Sequence, residues 1–306
     1  MTRPRLLAFA QLLRLPNVFT AFADICMAGA VVGAITNRPL AFLGILLASG
    51  LLYLSGMAWN DLFDRVEDAR MRPFRPIPSG RVSVRTARLL ALILMLAGVA
   101  LAATVGLLEP EKVRGVWHPG IVAVVLAIAI LLYDRYFKHF IIGPVAMGFC
   151  RFLNVLLGLT LADAEALSEL KMFHLAGIIG LYIVGVTWFA RTEESASRKS
   201  HLLAASSLMG LSLLLALALP LHREAGSTTF FFPYFLVLFG FYLGLPIQRA
   251  IFQPTPQRVQ VAVKTCILGL VILDAIIAVA FVGWPGLLIV LLLVPAILIG
   301  KKIYST

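Results

Sequence analysis

Ten stretches of the chain are nearly free of charge, each bounded by charged residues, proline or glycine. They lie near residues 17–36, 40–59, 87–107, 119–136, 140–161, 173–190, 202–220, 229–246, 261–282 and 284–300. A helix needs about 20 apolar residues to cross about 30 Å of hydrocarbon, so the pattern predicts an all-α, polytopic bundle of nine or ten transmembrane helices. The tenth run is the short one, at 17 residues, and follows the turn at Gly283, so it reads as a span or as a re-entrant or interfacial piece. Ahead of the first run, MTRPRLLAFAQLLRLPN has basic residues but a short, interrupted apolar run and no small-residue cleavage site. It is expected to lie at the interface rather than to be a signal peptide. No soluble domain interrupts the series, so residues 1–306 are expected to form one transmembrane unit.

Composition agrees with that reading: 60% of the 306 residues are hydrophobic and 13% charged, outside the range of soluble domains. The distribution of charge adds orientation. With alternate loops assigned to opposite sides, 20 Lys and Arg share the side of the N-terminus, while Arg38, Lys112, Arg114, Lys171 and Arg223 lie opposite and Arg151 falls inside a span. Basic residues accumulate on the cytoplasmic side. The expected protein is therefore a multi-pass integral membrane protein, of a bacterial-type inner membrane, with its N-terminus and residues 60–86 and 191–201 cytoplasmic. The net charge of +11 then reflects topology and attraction to anionic lipid headgroups, with no nucleic-acid partner implied. Cys26, Cys150 and Cys266 sit alone in apolar runs and read as core thiols. The five histidines lie at span ends without ligand spacing, and no nucleotide-binding glycine motif occurs.

One stretch breaks the apolar pattern: WNDLFDRVEDARMRPFRPIPSGR, residues 59–81, with four carboxylates and five arginines. Asn60, Asp64 and Asp68 recur every four residues, which stacks them on one helix face, with Asp61 and Glu67 beside the stripe. A solvated helix end balanced by Arg65, Arg70 and Arg72 would account for the charges. It does not account for the spacing, because like-charged groups on one face repel. Mg²⁺ does, since it takes one or two carboxylates and shares its remaining positions with water and substrate phosphates. Asn60, Asp64 and Asp68 are the expected metal ligands. The prolines and glycine of FRPIPSGR then turn the chain, so that Arg72, Arg75 and Arg81 present planar forks suited to phosphate oxygens.

The loop resembles the first signature of the UbiA superfamily of membrane prenyltransferases, NDxxDxxxD followed by RPIPSG. Asn60, Asp61, Asp64 and Asp68 match it, as do Arg75 to Gly80. Lys138, and Arg151, Asn154 and Gly158 in the next span, resemble further patterns of that family, extending the likeness over roughly residues 14–200. The resemblance implies a helix bundle around a cavity open toward the membrane, with two acidic motifs on cytoplasmic loops binding Mg²⁺ and a prenyl diphosphate. It implies prenyl transfer to an aromatic or other small acceptor. Asp64, Asp68, Arg75, Lys138 and Arg191 are the expected catalytic residues. Asn17, Asn60, Asp61, Arg72, Arg81, Arg151, Asn154 and Glu193 are expected to bind substrate.

The second acidic motif departs from the pattern. Where the family carries DxxxD or a longer version, this chain reads GVTWFARTEESASRKSHL, with Phe189 at one acidic position and Glu193 at another. Three outcomes stay open: a one-metal enzyme with Arg191 replacing the second ion, an enzyme of a different diphosphate, or a binder or translocator. The TWFAR segment resembles a divergent branch, the EboC-like proteins. Inside the spans, Asp24 shares a face with Asn17, and Arg151 is expected to pair with Asp24 or Asp274, structurally or as a polar cavity lining. Lys264 is expected to snorkel to the interface. The Phe-rich TTFFFPYFLVLFGFY reads first as lipid-facing or packing aromatics.

Overall fold

The computed structural model describes residues 3–108, 118–162, 168–191, 198–222 and 229–304. The described residues are helical throughout, with no strand. The chain opens with α1 (Arg3–Leu12), a 3₁₀ turn at Leu15–Asn17, α2 (Val18–Val31) and the short α3 (Ala34–Asn37). Next come α4 (Pro39–Phe63), the seven-residue α5 (Arg65–Met71), α6 (Val84–Leu108), α7 (Pro119–Arg135) and α8 (Gly143–Leu159). The remainder forms α9 (Glu169–Ala190), α10 (Lys199–Leu217), α11 (Phe232–Phe252), α12 (Pro256–Val282), a 3₁₀ stretch Trp284–Leu292 and α13 (Leu293–Tyr304).

Every apolar run noted in the sequence contains a helix. Among the described residues seven helices are long and apolar enough to cross a membrane, and the pair Arg5–Leu12 and Leu15–Val31, bent by 45°, brings the number to eight where the two form one span. α7 and α8, at 17 residues each, fill the runs expected at 119–136 and 140–161. The tenth run is among those long and apolar enough to span, because the 3₁₀ stretch continues into α13 to give a 20-residue segment, Trp284–Ile303. The first run is shorter than expected: α2 stops at Val31, and Gly33 takes φ +69°, a left-handed turn that glycine adopts without a Cβ clash.

Burial sorts the helices into centre and perimeter. The apolar window of α12 is 67% buried and that of α9 61%, against 22% for α11. α12 packs on α2 and α11, α9 on α8 and α10, and α4 on α6. Large apolar side chains stay uncovered around the outside, including Leu40, Leu107, Leu238, Phe241 and Leu298. Such a surface is stable in hydrocarbon, where the helices satisfy their own backbone groups. The three cysteines are free thiols, Cys150 and Cys266 buried and Cys26 half-buried.

Small residues set the close approaches inside the bundle. A Cβ on Gly148 of α8 would stand 2.5 Å from the Gly180 carbonyl of α9, so that crossing excludes even alanine without a backbone shift.

Candidate functional site

α4 carries the polar stripe to the end of the bundle, and there the helix bends. It ends at Phe63 and α5 begins at Arg65, with Asp64 at the joint. The turn persists through the bend, since Asp64 N–H donates to the Asn60 carbonyl at 3.0 Å and Asp68 N–H to that of Asp64 at 2.8 Å. Asn60, Asp64 and Asp68 thus keep the four-residue spacing, but not on one straight helix. The bend turns Asp68 inward until it is 3% exposed, and Asp61 is 4% exposed.

Each motif carboxylate meets a cation. Arg75, held by the turn after α5, places Nη1 2.7 Å from Asp68 Oδ2 and 3.4 Å from Asp61 Oδ1. Arg72 lies 3.9 Å from Asp68 Oδ1. Lys138, in the 3₁₀ turn after α7, lies 2.5 Å from Asp64 Oδ1. The fourth cation is one that motif reasoning overlooked. Arg14, between α1 and α2, donates from Nη2 to Asp61 Oδ1 at 3.1 Å and to Asn60 Oδ1 at 3.2 Å. Its φ of +45° is the sole positive value at a non-glycine among the described residues. A left-handed arginine is a locally unfavourable conformation, of a kind that clusters at functional sites.

Arg14 also lines a cavity of about 410 Å³, bounded by α2, α4, α7, α8, α9 and α12. Asn17, Tyr133 and Asp134 stand with it at the polar end, and Leu52, Leu126, Ile130, Ile183, Val186 and Leu270 make apolar walls. Asp134, near the end of α7, is a second residue the sequence reading passed over. It is 3% exposed, and its Oδ1 accepts a hydrogen bond from Asn60 Nδ2 at 3.0 Å. Arg14 and Asp134 therefore connect the motif to the cavity.

A further polar group lies deeper. Arg151 of α8 pairs with Asp24 Oδ2 at 3.0 Å, donates to Thr20 Oγ1 at 2.6 Å, and stands over the Tyr53 ring at 5.4 Å. Asn154, one turn on, donates to the same Asp24 oxygen at 2.8 Å and accepts from Ser49 Oγ at 2.6 Å. Arg151, Asn154, Ser49 and Thr20 line the cavity. The Asp274 carboxyl of α12 lies against that of Asp24, fully buried. Of the two partners expected for Arg151, Asp24 is the direct one.

Two expected phosphate-facing arginines are engaged elsewhere. Arg191 donates to the carbonyls of Phe140 (2.8 Å) and Ile141 (3.3 Å), clamping the turn between α7 and α8. Arg81 donates to Gln11 Oε1 (2.7 Å), Ser79 Oγ (3.0 Å) and the Phe74 carbonyl (2.6 Å), which fixes the loop's shape. Long flexible side chains bind the nearest acceptors, and here those belong to the chain itself. Glu193 lies outside the described residues. Phe189, where the second motif's acid was expected, is 1% exposed and packed in the core.

The donors facing one another near Asn60 suit Mg²⁺ in kind, since all are oxygens. Among the described residues no three His, Cys, Asp or Glu side chains converge to hold a metal alone. That arrangement fits an ion that completes its shell with water and phosphate oxygens.

Known proteins resemble this chain in sequence and in fold. The sequence pattern of the UbiA prenyltransferase family matches residues 17–260. The digeranylgeranylglyceryl phosphate synthase of Saccharolobus solfataricus is 31% identical over 136 residues, 43% of each chain. That of Ignicoccus hospitalis is 31% identical over 166 residues, covering 54% of this chain and 50% of the relative. The chain thus spans half or less of these curated relatives' length. A solved digeranylgeranylglyceryl phosphate synthase structure superimposes with TM-score 0.66 over 91% of this chain and 99% of that one, at 19% identity. A UbiA homolog from Archaeoglobus fulgidus bound to DMAPP and Mg²⁺ gives TM-score 0.60 over 86% and 98%, at 14% identity. At such identities the likeness is one of fold. With the family pattern spanning most of the chain and the acidic motif hydrogen-bonded to Arg14 and Asp134, which line the cavity, this multi-pass integral membrane protein belongs to the UbiA prenyltransferase family.

Proposed function

We propose that the chain is an Mg²⁺-dependent prenyltransferase, moving a prenyl group from a prenyl diphosphate to an aromatic or other small acceptor, with residues 1–306 acting as one unit. One observation carries the reading: the Asn60–Asp68 stripe, with Arg14, Arg75 and Lys138 among its carboxylates, is joined through Arg14 and Asp134 to the polar lining of an otherwise apolar-walled cavity. Asn60, Asp64 and Asp68 would hold Mg²⁺, which supplies charge neutralisation for a diphosphate leaving group. Arg14, Arg75 and Lys138 are the cations at hand to engage its oxygens, each able to exchange a carboxylate for a phosphate partner. Bond cleavage leaves an allylic cation, and the apolar walls keep water from it until the acceptor's electron pair arrives. Arg151, Asn154, Ser49 and Thr20 give the inner cavity hydrogen-bonding groups that orient the acceptor. The basic-residue asymmetry supports a cytoplasmic N-terminus and a cytoplasmic diphosphate site, in a bacterial-type inner membrane. The DMAPP- and Mg²⁺-bound homolog supports the choice of donor and metal.

The test is incubation of purified protein with labelled prenyl diphosphates of several lengths and Mg²⁺. Binding and diphosphate release are expected for at least one length, and Asp64→Asn or Asp68→Asn should abolish Mg²⁺-dependent binding at similar folded yield. Failure to bind any length overturns the reading. A second reading, a prenyl-lipid binder or translocator on this scaffold, draws on the buried Phe189 and the engaged Arg191 at the second motif. It requires substrate binding without turnover, and release of a prenylated product in detergent excludes it.

A further inference from the structure

We propose that Asp134, which lines the cavity from α7, is a divalent-cation ligand, supplying a carboxylate where the second acidic motif carries Phe189; the inference rests on the prenyl diphosphate reading above. The distinction lies in what surrounds each acid. Asp61, Asp64 and Asp68 are each met by Arg or Lys at 2.5–3.4 Å, so their charge is balanced within the protein. Asp134, at 3% exposure, is as buried as Asp61 and Asp68 and more so than Asp64, and it lines the cavity. Its hydrogen-bond donor is the neutral amide of Asn60, and among the described residues no Lys, Arg or His lies within ion-pair distance of it. A buried carboxylate is ordinarily paired or coordinates a metal.

The placement follows from two matched spacings. Asn60 and Asp64 stand four apart on α4 and its bend, and Asp134 and Lys138 stand four apart on α7 and the turn after it. They face each other as amide to carboxylate and carboxylate to ammonium. Asp134 lies within α7, whereas Lys138 lies in the 3₁₀ turn beyond its end, and Asp134 lines the cavity together with Tyr133 and Asn17. Because Asn60 Nδ2 is committed to Asp134, Asn60 Oδ1 is turned to Arg14, 3.2 Å away. Asp134 thus adds carboxylate oxygens from a helix other than the one that carries Asn60, and hard oxygen donors are the ligand chemistry of Mg²⁺ or Mn²⁺.

The experiment uses full-length protein in detergent, with Mn²⁺ as a paramagnetic probe titrated in the presence and absence of geranyl diphosphate. Asp134→Asn removes the charge while its Oδ1 still accepts from Asn60, so the folded protein and its metal-free melting temperature are retained. Mn²⁺ affinity should fall roughly 10–100-fold, the range seen when a metal's supporting groups are removed. Asp134→Glu, which keeps the carboxylate, should lose less than Asp134→Asn. Equal Mn²⁺ affinity of wild type and Asp134→Asn overturns the proposal and leaves the prenyl diphosphate reading standing, since that pattern belongs to a carboxyl that only orients Asn60. Absence of both Mn²⁺ and geranyl diphosphate binding by wild type overturns the two together.

Discussion

Arg75→Met tests whether the RPIPSG loop is tied to the acidic motif as the geometry implies. The arginine bridges Asp68 at 2.7 Å and Asp61 at 3.4 Å, and its side chain is 19% exposed where theirs are 4% and 5%. Removing one partner of a buried ion pair costs about 3–5 kcal/mol, because the remaining charge is stranded. Asp61 keeps Arg14 at 3.1 Å, and Arg75 is partly hydrated, so the lower end applies, about 3 kcal/mol. At roughly 2 °C per kcal/mol the expected loss is about 6 °C in melting temperature in detergent. Arg75→Lys should fall between the two, since an ammonium keeps the charge but on a shorter side chain than the one that brings Nη1 to both carboxylates. Millimolar Mg²⁺ should then restore part of the loss in Arg75→Met, because a divalent ion can replace the missing charge at Asp68. The reasoning fails if Arg75→Met melts within a degree of wild type, and the metal role of Asp68 fails if Mg²⁺ restores nothing.

Three other outcomes follow from particular contacts. Asp274→Asn should raise the melting temperature, because Asp24 Oδ1 and both Asp274 oxygens are buried without a donor and an amide N–H would supply one, worth about 1–3 kcal/mol; a lower melting temperature would contradict this packing of α12 on α2. Arg191→Ala should leave prenyl diphosphate affinity within about twofold, whereas Lys138→Met, which strips the cation from Asp64, should weaken it by about tenfold or more, as expected for loss of a charge-assisted contact. The reverse order, measured by equilibrium binding with Mg²⁺, would restore Arg191 to the site. Gly148→Ala should destabilise by about 1–3 kcal/mol in thermal unfolding, since the added carbon meets the Gly180 carbonyl at 2.5 Å and overpacking carries that cost.

The bundle was legible because its signal is redundant: each span repeats the same apolar evidence over about 20 positions. The acidic motif was legible for a related reason, since the spacing of Asn60, Asp64 and Asp68 is local and survives even the bend at Asp64, which no proline or glycine announces. Pairings between distant segments were harder. Arg14 read only as one more cytoplasmic charge, and its left-handed backbone and reach to Asp61 exist only after α1 folds back on α4. Asp134 carried a usable hint, an acid at the end of an apolar run one turn before Lys138, of the kind that drew notice to Asp24. Arg81 and Arg191 show a different gap: their place near the motif suggests phosphate, and their partners within the fold, Gln11 and the carbonyls of Phe74, Phe140 and Ile141, come from segments that local spacing does not disclose.

Gln11 makes that geometry matter for engineering. Its amide donates to the Ile303 carbonyl of α13 at 3.0 Å while its oxygen accepts from Arg81, so the last helix, the first helix and the RPIPSG loop share one residue. Gln11, Arg14 and Ile303 all fall outside residues 17–260, the stretch matched by the family pattern. A chimera exchanged at those boundaries would import a complete acidic motif yet leave its brace behind in the host. Loss of activity in such a hybrid would report the absence of that strut and of Arg14, and moving the splice points outward to include both ends would recover it.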